Sequence, residues 1–103
     1  MAETAQAGRK ARIGIIGAGS WAVANHLPIL QRNPNVELVG VARPGAAELA
    51  KVKEAFGFPH AYETYEELLD NVEMDGVIVA SPHHLHAEQA MAALAKGSHV
   101  MVE

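Results

Sequence analysis

The chain has 103 residues, half of them apolar, which accommodates one domain with a modest core and leaves no room for a second. Eight Lys plus Arg against twelve Asp plus Glu give a net charge of -4 with no basic block, which argues against a sequence-independent grip on nucleic acid and for a small-molecule ligand. With no cysteine there is no disulfide framework or thiolate metal site, and no apolar run nears the ~20 residues of a membrane span, so a soluble, cytoplasmic protein without a membrane partner is expected.

Residues 1–10 are small, polar and aperiodic and read as a flexible tail, leaving 11–103 as the folded domain. Ala11 to Ile16 is a short apolar run that ends at Gly17 and predicts a buried strand. A helical pattern follows from Ser20 or Trp21 to about Arg32. Pro28 lies inside it and lacks a backbone donor, which predicts a kink or break near Asn25 to Leu27. After the turn signal Asn33-Pro34-Asn35, Val36 to Val41 predicts a second strand. Ala46 to Phe56 repeats apolar residues at helical spacing, and Gly57 stands where a C-terminal cap belongs.

His60 to Tyr62 is a short strand candidate, and Thr64-Tyr65-Glu66-Glu67 has the spacing of a capping box that opens a helix to about Asp70. Gly76 to Ala80 is another buried strand, His84 to Lys96 is alanine-rich and helical before Gly97, and Val100 to Val102 begins a last strand. Strand and helix alternate throughout. Parallel strands need crossovers and crossovers are right-handed, so the pattern predicts a doubly wound α/β sheet of the Rossmann type with strand order 3-2-1-4-5.

The chemistry-bearing segment is Gly17-Ala18-Gly19-Ser20-Trp21-Ala22, because it follows the first strand and opens the first helix. Gly17 permits the tight turn, Gly19 lets the backbone approach a pyrophosphate, and Ala22 takes the place of a third glycine. The helix N-terminus adds unpaired N–H groups and partial positive charge, so a dinucleotide is the expected ligand. Trp21 either packs over the cofactor or fills the helix–sheet interface. Arg43 ends the second strand, where a carboxylate would bind the ribose hydroxyls of NAD; an arginine there can pair with the 2′-phosphate of NADP, which tilts the expectation toward NADP over NAD.

Ser81-Pro82-His83-His84-Leu85-His86 ends the fourth strand on the edge of the sheet where open α/β folds bind ligands. His83 and His86 are three apart, but no carboxylate or cysteine lies nearby to complete a zinc set, so no metal site is expected and the loop is read as bordering the cofactor. His26, His60 and His99 read as structural or surface residues, Tyr62 and Tyr65 as packing residues, and Glu66 and Glu67 as residues that suit a helix N-terminus.

Ile13-Gly14-Ile15-Ile16-Gly17-Ala18-Gly19, His26-Leu27-Pro28, Tyr65-Glu66-Glu67-Leu68-Leu69, Val77-Ile78-Val79-Ala80-Ser81-Pro82 and His99-Val100-Met101-Val102-Glu103 occur in that order. With these segments the chain resembles the Gfo/Idh/MocA oxidoreductases, relatives of glucose-fructose oxidoreductase and inositol dehydrogenase. The resemblance implies an NAD(P)-binding domain followed by a larger α/β domain that shapes a site for a sugar, polyol or related alcohol–carbonyl pair. It implies that Ser81, Pro82, His83 and His86 match a Thr/Ser-Pro-Asn-x-x-His loop beside the cofactor, with His83 in place of asparagine, and that Glu103 lies near the nicotinamide ribose. It also implies a catalytic lysine directly after that glutamate. The chain as written stops before it, so a cofactor-binding but catalytically incomplete fragment is expected, with a stand-alone nucleotide-binding or interaction module completed by another chain as the alternative. An apolar last strand left at the sheet edge would favour self-association.

Overall fold

The computed structural model describes residues 9–103, apart from the side chains of Ser20, Trp21, Val23 and Ala24. Five strands, β1 (Ala11–Ile16), β2 (Val36–Ala42), β3 (His60–Tyr62), β4 (Gly76–Val79) and β5 (His99–Val102), alternate with helices α1 (Ser20–Arg32), α2 (Ala46–Phe56), α3 (Tyr65–Asn71) and α4 (His86–Ala95). All four neighbouring pairs are parallel and the order is β3-β2-β1-β4-β5, as the alternating pattern predicts.

The central strands read as continuous apolar runs because both faces of the sheet are covered. Successive residues of β1 point into different cores. Ile15 packs with Leu27, Leu49, Val52 and Phe58 beneath α1 and α2. Ile16 packs with Leu68, Leu69, Val72 and Ala93 beneath α3 and α4. Leu27 and Leu68 are fully buried, and truncating either to alanine would cost about 2–5 kcal/mol through lost transfer energy and the cavity left behind.

Local chemistry sets the helix ends. Thr64 caps α3: its hydroxyl oxygen accepts from the Glu67 backbone N–H at 3.3 Å and its hydroxyl donates to Glu67 Oε1 at 2.9 Å. The Glu67 carboxylate therefore meets the cap's side chain, a variant of the expected box. Gly57, left-handed with φ of 68°, closes α2.

Three expectations need correction. No break interrupts α1: it runs through Pro28 from Ser20 to Arg32. Proline denies the Ala24 carbonyl its intrahelical donor, but packing of Leu27 and of half-buried Leu30 against the sheet carries the helix across the missing bond. The alanine-rich helix also starts later than its composition suggests, since His83–Leu85 forms a 3-10 turn and the α-helix begins at His86. Arg9, assigned from sequence to the tail, is joined to Asp75, its guanidinium donating to Oδ2 at 3.3 Å and Oδ1 at 3.1 Å.

Asp75 also accepts the Arg12 backbone N–H at 2.7 Å, and its own carbonyl accepts from His99 N. It thus ties the starts of β1, β4 and β5 together. The bond from the Arg12 amide, with help from the Arg9 guanidinium, holds the Asp75 carboxyl below its ordinary value of 3.8.

Candidate nucleotide-binding site

The carboxyl ends of β1, β2 and β4 bring the glycine turn, Arg43 and the Ser81-Pro82 loop to one edge of the sheet. Gly17 has φ of 82°, and a Cβ on it would lie 2.5 Å from the Ser81 Cα, so its lack of a side chain is demanded by the fold itself. Gly19 differs. Its φ of -83° suits any residue, and a Cβ there would meet nothing within 4 Å. Among the described residues no packing explains glycine at 19.

Gly19 is the N-cap of α1 and makes no side-chain cap bond, and α1 carries no acidic residue in its first turn. The first N–H groups of this helix are therefore without a side-chain cap from Gly19 or a carboxylate in the first turn. Ala22 is buried, so in place of a third glycine it serves the close packing of helix on sheet. The side chains of Ser20 and Trp21, both expected near the cofactor, lie outside the described residues.

Arg43 follows β2 and its backbone N–H donates to the Tyr62 carbonyl at 3.1 Å. Its guanidinium folds over the glycine turn, with Nη1 donating to the Ala18 carbonyl at 3.0 Å and Nε to the Pro44 carbonyl at 3.1 Å. No carboxylate stands between Ala42 and Ala47. Two hollows flank this arginine. One, of about 290 Å³, is lined by Gly17, Arg43, Thr64, Ser81, Pro82 and Leu85 among others. The other, of about 480 Å³, runs from Gly19 and Arg43 along α2.

The loop after β4 is braced from beneath. The Ser81 hydroxyl donates to Oε1 of buried Gln89, and the His86 ring meets the Ser81 carbonyl through Nε2. His86 is therefore a loop-fixing residue, while His83 lies exposed with its ring 5.1 Å from that of His86. Among the described residues no group of three His, Cys, Asp or Glu is placed to hold a metal ion.

At the rim, the Tyr65 hydroxyl donates to Glu88 Oε2 at 2.8 Å. That bond, with partial burial and the carboxylates of Glu66 and Glu88, pushes the phenol from its ordinary 10.0 up to about 12. Tyr65 packs against the core as expected, and its hydroxyl adds a bond to α4 at the rim.

Glu103 ends the described strand edge, its backbone N–H donating to the Val79 carbonyl at 3.0 Å and its carboxylate meeting His26 at 2.6 Å. This contact was missed from sequence. The only signal available was the His26-Leu27-Pro28 segment itself, which contributes to the family resemblance without naming a partner.

A glycine turn with one glycine required by packing and one left open, an uncapped helix N-terminus and a basic residue after β2 define a dinucleotide-binding Rossmann domain. The family model described as the oxidoreductase family with NAD-binding Rossmann fold, GFO_IDH_MocA, matches residues 11–103, and the chain belongs to that family. Glucose-6-phosphate 3-dehydrogenase of Bacillus subtilis is 42% identical over 92 residues, which cover 89% of this chain and 25% of that protein. The 4-carboxy-2-hydroxymuconate-6-semialdehyde dehydrogenase of a Sphingobium species is 36% identical over 92 residues, covering 89% and 29%.

Among solved structures, a 3-ketoreductase from Actinomadura kijaniata in complex with NADP superimposes with a TM-score of 0.85 at 33% identity, covering 91% of this chain and 30% of that one. The scyllo-inositol dehydrogenase from Lactobacillus casei with bound NAD(H) and scyllo-inositol gives 0.84 at 25% identity, covering 91% and 28%. The chain therefore spans less than a third of the length of these relatives. It is an NAD(P)-binding domain, and no helix among the described residues is long and apolar enough to cross a membrane.

Proposed function

We propose that this domain prefers NADP to NAD and serves an oxidoreductase that acts on a sugar, polyol or related alcohol–carbonyl substrate. The observation that carries the cofactor preference is Arg43, fixed over the glycine turn at the end of β2 with no carboxylate in its neighbourhood of the sequence. A ribose 2′-phosphate would meet a guanidinium there; the carboxylates that share the hollow, Glu63 and Glu66, come from the segment after β3 and not from the end of β2.

The residues present fit such a cofactor. Backbone N–H groups at the start of α1 face the pyrophosphate, Gly19 leaves it room, and the hollow between Arg43 and the Ser81-Pro82 loop takes the adenosine end. The bound nicotinamide supplies the hydride chemistry. The chain's own residues bind and orient it: Gln89 and His86 hold the loop that forms one wall, and His26 holds the Glu103 carboxylate that the family resemblance puts near the nicotinamide ribose. The substrate class rests on the relatives, two of which are named for sugar or polyol substrates.

Ligand-induced stabilisation tests the preference, because a ligand that binds only the folded state raises its melting temperature with affinity. NADPH at a fixed concentration is expected to raise Tm more than NADH does. A larger shift with NADH would overturn the reading.

As a second reading we propose self-association through β5, the edge strand of the sheet among the described residues. Met101 and Val102 are 47% and 46% exposed on the last strand of the sheet, and apolar edge strands are templates for pairing. Light scattering across a concentration series is expected to show oligomers, and a monodisperse monomer at the highest concentration would refute it.

A further inference from the structure

The hollow on the far side of Arg43 has a second basic residue on its wall. Gly19 and Arg43 form one end, Glu48 and Lys51 project from the first turns of α2, and Val52, Ala55 and Phe56 are the other described residues of the lining, around about 480 Å³. We propose that Lys51 is a specificity-determining residue that joins Arg43 in binding the 2′-phosphate of NADP, with Glu48 as the counter-charge it leaves. The inference rests on the preference for NADP argued above and names the residue that completes that subsite.

Three observations support it. Arg43 is immobilised by two backbone carbonyls, so its guanidinium presents a fixed charge to one side of the hollow. Among the described residues Lys51 pairs with Glu48 alone, at 3.4 Å, and the two side chains are 74% and 55% exposed. An exposed pair three residues apart on a helix is weak and screened by salt, so the ammonium is readily transferred to a phosphate dianion. The groove also opens directly from Gly19, whose missing side chain leaves the route from the glycine turn clear. A ribose without the 2′-phosphate presents nothing for Lys51 to bind, and its contribution is therefore confined to NADP.

Calorimetric titration of the purified protein with NADPH and NADH tests this in the wild type, Lys51→Met, Glu48→Gln and Arg43→Ala. Lys51 is exposed, so its replacement leaves the fold in place, which circular dichroism verifies. Lys51→Met is expected to weaken NADPH binding about five- to tenfold, to leave NADH binding within about twofold, and to flatten the salt dependence for NADPH. Glu48→Gln should tighten NADPH binding alone.

If Arg43→Ala removes the preference while Lys51→Met binds both cofactors as the wild type does, the NADP reading stands and the role of Lys51 falls. Equal weakening toward both cofactors would likewise overturn a phosphate-specific role. If the wild type binds NADPH no more tightly than NADH, the underlying reading fails and this inference with it.

Discussion

His26 Nε2 lies 2.6 Å from Glu103 Oε2, joining the middle of α1 to the residue after β5 across 77 positions of the chain. Both side chains are roughly three-quarters buried, so the contact is less screened than a surface pair. It anchors the carboxylate at the carboxyl end of β5 to the helix that follows the glycine turn. His26→Ala and Glu103→Gln are each expected to cost about 0.5–1 kcal/mol, and the double variant little more than either alone. Chemical denaturation of the four proteins measures this; fully additive losses would show that the two residues are uncoupled.

The two glycines of the turn should behave oppositely. Gly17→Ala forces a left-handed backbone on an L-residue and drives a Cβ into the Ser81 backbone, for an expected loss of roughly 2–4 kcal/mol. Gly19→Ala meets open space, so stability should stay within about 0.5 kcal/mol of the wild type while dinucleotide affinity falls at least about tenfold. Thermal melts paired with cofactor titrations separate the two. A Gly19→Ala protein with unchanged affinity would remove the strongest local argument for a pyrophosphate at that position.

Asp75 predicts how the fold responds to acid. Its folded-state carboxyl titrates below the ordinary 3.8, so its contribution is present above that pH and is lost as the pH falls through the lower folded value. The side chain is about one-third exposed, which limits the effect, and Asp75→Ala should cost about 1 kcal/mol at neutral pH through loss of the ionised carboxylate's bonds to the Arg12 amide and the Arg9 guanidinium. The gap between variant and wild type should narrow as denaturation curves are moved below pH 3.8. A gap that stays constant there would show that the ionised carboxylate is not the source of the stability.

Strand order, the Thr64 cap and the grouping of Gly17, Arg43, Ser81 and Pro82 were legible in the sequence because each depends on local pattern or on handedness rules. The break allowed for at Pro28 does not occur because helix propensity is local, whereas the burial of Leu27 that holds α1 together is tertiary. The His26–Glu103 contact and the Arg9–Asp75 pair were invisible for the same reason: each joins residues more than sixty positions apart, and neither residue type announces its partner. The sequence already suggests different roles for Gly17 and Gly19; the space around each adds that the fold has no room for a side chain at 17 and open space at 19 among the described residues.

The proposed preference for NADP rests on the charge at position 43, and calorimetric titration of wild type and Arg43→Asp with NADPH and NADH tests it most directly. Tighter NADPH binding by the wild type, reversed in favour of NADH by the aspartate, is the predicted result. A folded wild type that binds NADH more tightly, or an Arg43→Asp protein that still prefers NADPH, would contradict the role assigned to Arg43.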